Sequence, residues 1–100
     1  MIAKVLIKRN FLAGQEKEII SLLKNLLSEA MNMKGYISGE TLMSWRNNNH
    51  LVTITTWQTM DDWINWKKSE ERSHLDALLE VYQEDPTIYE EYLLGSPLHL

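Results

Sequence analysis

The chain has 100 residues, 44% of them hydrophobic, and a formal charge of −4 from 14 acidic and 10 basic side chains. That length suits one domain with a single core and excludes two. The acidic balance offers no footprint for a phosphate backbone or an anionic membrane surface, and the lack of cysteine removes disulfides, thiolate metal sites, iron–sulfur ligation and cysteine nucleophiles.

Met1 to Arg9 holds no apolar run long enough for a signal-peptide core or a membrane span, so the chain is expected to be soluble and cytoplasmic. Residues 2–9, centred on Val5-Leu6-Ile7, have the aliphatic make-up of a strand. After a turn from Asn10 to Gly14, the residues Ile19, Leu22, Leu23, Leu26, Leu27 and Ala30 recur at helical spacing and predict a helix over 15–32. Gly35 then permits the reversal into the next element. Residues 35–45 and 50–57 flank the polar loop Arg46-Asn47-Asn48-Asn49 and read as a β-hairpin, with His50 at its edge. Thr59 followed by Asp61-Asp62 marks a helix start, and a short second helix is expected to run to about Lys68. Ser69-Glu70-Glu71 repeats that cap chemistry, so the helix restarts or bends there and continues to about Gln83. Asp85-Pro86 stops it, and 87–94 alternates as a fourth strand before a tail from Gly95 that is expected to be flexible and contains His99.

The order βαββαβ predicts an α+β, ferredoxin-like domain over 1–100: a four-stranded antiparallel sheet with its helices on one face. Its other face has no cover from this chain, although the third strand, Leu51 to Trp57, offers no charged residue to solvent. A second subunit is expected to cover it, giving a homodimer, with Tyr89, Tyr92 and Leu94 reaching across.

Several local runs are distinctive: Val5-Leu6-Ile7-Lys8-Arg9, Lys34-Gly35-Tyr36-Ile37-Ser38-Gly39-Glu40-Thr41-Leu42, Leu51 to Trp57, and Asp62-Trp63-Ile64-Asn65-Trp66 followed by Ser69-Glu70-Glu71-Arg72. Together with the element order they resemble the antibiotic biosynthesis monooxygenase family, over nearly the whole chain. The resemblance implies a dimeric α/β barrel, made by packing two such sheets, and a pocket between helices and sheet. It also implies an oxygenase acting on a small, flat phenolic or quinol-like molecule without a bound metal or flavin. From another class, the alternative is a non-catalytic dimer of the same fold that binds an apolar ligand or serves as an interaction module.

If the second helical segment ran unbroken, Trp63, Trp66, Glu70 and His74 would share one face. Two readings of that face stay open. In one, the tryptophans are core or rim packing and His74 is a partly exposed helix residue. In the other, Trp63, Trp66 and Tyr36 wall a pocket in which His74 is the base. Glu40 sits mid-strand among neutral residues, where a buried carboxylate would line the site as a base or pair with Lys4, Lys8 or Arg9.

Other motifs end sooner. Glu71-Arg72-Ser73-His74 has the Glu-x-x-His spacing of di-iron bundles, but only one copy exists and no metal is expected. Lys34-Gly35-Tyr36 opens like an RNA-binding strand motif that Ile37-Ser38-Gly39 then breaks, and no nucleic acid is expected. For the haem-degrading members, the resemblance would require an asparagine on the first strand, a tryptophan on the second helix and a histidine on the next. Trp66 and His74 could fill the last two roles, yet the first-strand position falls at Ile7 or Lys8, with Asn10 in the turn, and His74 is offset from the expected spacing by a fraction of a turn, so no haem cofactor is expected.

Overall fold

The computed structural model describes residues 1–95, so the expectations for the remaining tail and for His99 lie outside the described residues. The elements follow the predicted order: β1 (Ala3–Asn10), α1 (Glu16–Ala30), β2 (Tyr36–Met43), β3 (His50–Trp57), α2 (Met60–Lys68), α3 (Glu70–Glu80) and β4 (Ile88–Leu93). This is the ferredoxin-like α+β architecture, with the second helix divided in two. The strands are ordered β2-β3-β1-β4 and every neighbouring pair is antiparallel.

Alternation decides what each face carries. On β1, Ala3, Val5, Ile7 and Arg9 are buried while Lys4, Leu6 and Lys8 point the other way. Opposite them the register places Trp57, Thr55, Thr53 and Leu51 of β3 on the inner face. Onto that face pack Ile19, Leu23, Leu26 and Ala30 of α1, Trp63 and Trp66 of α2 and Leu79 of α3, forming one core. Leu6, Val52 and Ile54 line the outer face, which no helix among the described residues covers.

Short-range chemistry sets the helix boundaries. Thr59 Oγ1 accepts from the Asp62 backbone N–H at 3.1 Å and donates to the Asp62 carboxylate at 2.9 Å, starting α2. Ser69 has extended backbone (φ −66°, ψ 150°), donates its hydroxyl to the Trp66 carbonyl at 2.8 Å, and accepts from the Arg72 backbone N–H at 3.2 Å. One residue thus ends α2 and caps α3, fixing the break. Gly35 has φ +85°, and a Cβ there would overlap the Asp62 carboxylate, so both conformation and space demand glycine. Several boundaries differ from expectation. α1 stops at Ala30 rather than near Asn32, β2 spans 36–43 rather than 35–45, α3 stops at Glu80 rather than near Gln83, and Asn10, expected in a turn, ends β1 because it pairs in register with His50.

Candidate functional site

The inward alternation of β1 puts a cation where an apolar residue would be usual. Arg9 is 4% exposed, and its Nη2 donates to Asp76 Oδ1 of α3 at 2.8 Å. Asp76 is buried too, and its second oxygen pairs with Arg72 Nη2 at 3.2 Å, one helical turn away. Arg72 Nη1 also donates to the Lys67 carbonyl at 2.8 Å, and Nη2 to the Tyr89 hydroxyl. Two guanidinium groups therefore share one carboxylate in a buried setting, where ionic hydrogen bonds are strong and unpaired donors costly. Arg9 Nε has no hydrogen-bond partner among the described residues. Burial pushes the Tyr89 phenol above its ordinary value, and the Asp76 charge adds to that, so it stays a neutral donor and acceptor. Glu80 is likewise raised, because Asp76 hydrogen-bonds to its protonated form and repels its charge.

Arg9 and Arg72 face a cavity of about 30 Å³ between the helices and the sheet, with Trp66, Leu26, Thr53 and Thr55 among its other walls. Thr55 Oγ1 accepts from Trp57 Nε1 at 3.0 Å, which leaves its own hydroxyl proton to donate. The Thr53 hydroxyl is bonded to that of Thr41 at 3.2 Å. Among the described residues the wall contains cations, hydroxyls and apolar groups but no carboxylate or imidazole. An open groove of about 600 Å³ between α1 and α3 is larger, but its lining, including Leu22, Leu78 and Val81, converges no comparable polar groups.

Beside the cavity runs an aromatic row. Tyr36 meets Trp57 edge to face at 5.4 Å, Trp57 lies 6.1 Å from Trp63, and Trp63 lies 6.0 Å from Tyr89. Trp63 Nε1 donates to Glu91 Oε2 at 2.5 Å, and Lys67 Nζ sits 4.3 Å from the Tyr89 ring centre. Tyr36 crosses Gly39, where a Cβ would come within 2.6 Å of its hydroxyl oxygen and 2.9 Å of Leu27 on the cavity wall.

The expected site residues therefore separate. Trp66 lines the cavity, and Trp63 and Tyr36 stand in the aromatic row beside it. His74 is exposed on α3 and is not part of the cavity wall. The break at Ser69 removes the continuous face that would have joined it to Trp63 and Trp66. Glu40 is exposed on the outer side of β2, near Lys4, so no buried carboxylate arises; Lys8 instead pairs with Glu90 at 3.1 Å and Arg9 with Asp76. Tyr89, expected to reach across to a partner, packs on Trp63 of its own chain. Asn10 bonds to His50 and, at 3.1 Å, to Asp85. Among the described residues no three His, Asp or Glu side chains are grouped to hold a metal ion, and no helix is long and apolar enough to cross a membrane. Sequence reading missed Arg9, Arg72 and Asp76 as a unit. The available signal was Arg9 itself, which falls on the same alternation as Val5 and Ile7.

Comparison with known proteins gives a consistent assignment. The family model for antibiotic biosynthesis monooxygenases matches residues 2–78. Among curated proteins nothing matches significantly. A conserved protein from Methanosarcina mazei Go1 superimposes with a TM-score of 0.86 at 18% identity, covering 92% of this chain and 91% of that one. SnoaB, a cofactor-independent oxygenase from Streptomyces nogalater, gives 0.81 at 13% identity over 100% of both chains. Rv0793 from Mycobacterium tuberculosis gives 0.83 at 12% identity, over 93% of this chain and 94% of that one. At such identities the structures establish a shared fold, whereas the family model spans most of the sequence. The chain belongs to the antibiotic biosynthesis monooxygenase family.

Proposed function

We propose that this protein is a cofactor-independent oxygenase of a small phenolic or quinol-like molecule, bound between the sheet and the α2–α3 pair. The observation that carries this reading is the buried cavity walled by Trp66, apolar side chains, two guanidinium groups and threonine hydroxyls, in a member of a monooxygenase family. The likeness in fold to SnoaB supports it. Such substrates, once ionised, donate electrons to oxygen themselves, so the protein need only bind the ring, assist loss of a proton and stabilise the anion. An anthrone, for example, would take up one O2 and release one water as its methylene carbon becomes a ketone. Oxygen uptake above the no-protein blank is expected with at least one member of a panel of hydroquinones and anthrones; uptake equal to the blank across the panel overturns the reading. Because His74 is exposed and outside the wall, His74→Ala is expected to change that rate by less than about twofold. A loss of about a hundredfold, typical of a missing general base, would return the base's role to His74.

The proposed working state is a homodimer closed by the outer sheet faces. Leu42, Ile88 and Tyr92 are 48%, 55% and 52% exposed in the single chain and lie on the same outer side as Leu6, Val52 and Ile54. Lys4, Lys8, Glu40 and Glu90 share that side, so the apolar groups are interspersed with charges of both signs. A second copy presents the same groups by two-fold symmetry, and burying roughly 2,000 Å² would contribute strongly at about 25 cal/mol per Å² of apolar area. Equilibrium sedimentation at micromolar concentration is expected to report twice the 11.8 kDa chain mass, with a melting temperature that falls on dilution. A mass of 11.8 kDa with a concentration-independent melting temperature would rule the dimer out.

A further inference from the structure

The two guanidinium groups beside the cavity carry chemistry that holding α3 against the sheet does not use. Asp76 accepts from Arg9 Nη2 and pairs ionically with Arg72 Nη2, while Arg72 donates to the Lys67 carbonyl and the Tyr89 hydroxyl. Arg9 Nε keeps its proton with no acceptor among the described residues, although its side chain is more than nine-tenths buried and lines the cavity. A buried donor without a partner costs free energy unless something accepts from it. The Thr55 hydroxyl proton offers a second donor in the same wall. The charged groups around Arg9 are Arg72 and Asp76, with Glu80 behind Asp76, and among the described residues no acidic side chain enters the cavity lining.

We propose that this cavity is an oxyanion site: Arg9 Nε–H, assisted by Thr55, takes the ionised oxygen of a phenol or enol, with the ligand's apolar body against Trp66. The site selects the anion over the neutral molecule and so lowers the pH at which the ligand ionises, which lets a wall with no base among the described residues serve a substrate that must lose a proton. The ligand class rests on the oxygenase reading; the anion preference rests on the donors alone. A cavity of about 30 Å³ takes the oxygen and its nearest carbon, not a ring. Seating the ring therefore requires the wall at Trp66 and Arg72, on either side of the α2–α3 break at Ser69, to move outward.

The test uses the intact chain and 4-nitrophenol, whose phenolate absorbs visibly. Bound to the protein, it is expected to ionise about one pH unit lower than in water, a tenfold preference for the phenolate. The Arg9 Nε–H resonance should move in step with saturation. Arg9→Gln is expected to abolish the preference. Since that change also strips Asp76 of a partner, Thr55→Val serves as the second variant, with the preference reduced about threefold. An unchanged ionisation midpoint, an Arg9 Nε–H resonance unmoved at saturation, or no saturable binding each overturns the site. A phenolate preference without oxygen uptake from any substrate would leave the site standing and sink the oxygenase reading instead.

Discussion

Asp76→Ala is expected to destabilise the fold by about 3–5 kcal/mol, the range for removing one partner of a buried ion pair. The carboxylate accepts from Arg9 Nη2 at 2.8 Å and forms an ion pair with Arg72 Nη2 at 3.2 Å, and the two arginine side chains are only 4% and 12% exposed. Without it, two like charges remain buried side by side, each with fewer acceptors than donors. Their repulsion adds to the desolvation that the ion pair had offset. Asp76→Asn keeps an acceptor but not the charge, and should fall between wild type and alanine. Because domains of this size are stable by about 5–15 kcal/mol, the alanine variant should unfold at a much lower denaturant midpoint. The comparison must be made at equal protein concentration, since a dimer's stability depends on it. A loss below about 1 kcal/mol would mean that the guanidinium groups find water when the carboxylate is gone, and that the cavity is wetter than its walls imply.

Trp63→Ala is expected to cost a similar amount, about 3–5 kcal/mol, through a different mechanism. The side chain is fully buried, packed at a tilt between Trp57 and Tyr89, and its indole N–H donates to Glu91. Truncation opens a hole that the neighbouring rings cannot fill without leaving their rotamers, and it frees Glu91 and Lys67 from the contacts that hold β4 to α2. Trp63→Phe keeps most of the packing and loses the hydrogen bond, so its cost should be nearer about 1 kcal/mol. Thermal unfolding at fixed concentration separates the two substitutions. Equal losses for both would assign the stability to the Glu91 bond and not to the ring.

What could be determined from the chain alone was whatever local rules govern. The 3.6-residue recurrence from Ile19 to Ala30 specifies α1 because one stripe of a helix must be buried. Ser69 marks the α2–α3 break because a hydroxyl at that position satisfies backbone donors that a new helix leaves free. Gly35 marks the turn because its conformation excludes side chains. Those local elements, in that order, suffice for the fold class and the family resemblance. The site was legible only in part. Trp66 reached the cavity as its neighbours suggested, but His74 is carried away from it by the same break that the capping residues announced, and Glu40 faces outward because register, not composition, assigns side chains to a sheet face. Asn10 extends β1 instead of turning, since pairing with His50, 40 residues on, outweighs its turn preference. Arg9 and Asp76 lie 67 residues apart, and nothing local to either specifies the other. Only the packing of α3 across the inner face of β1 creates their ion pair, and with it the unpartnered donor, because a buried charge acquires its chemistry from whatever the folded chain places beside it.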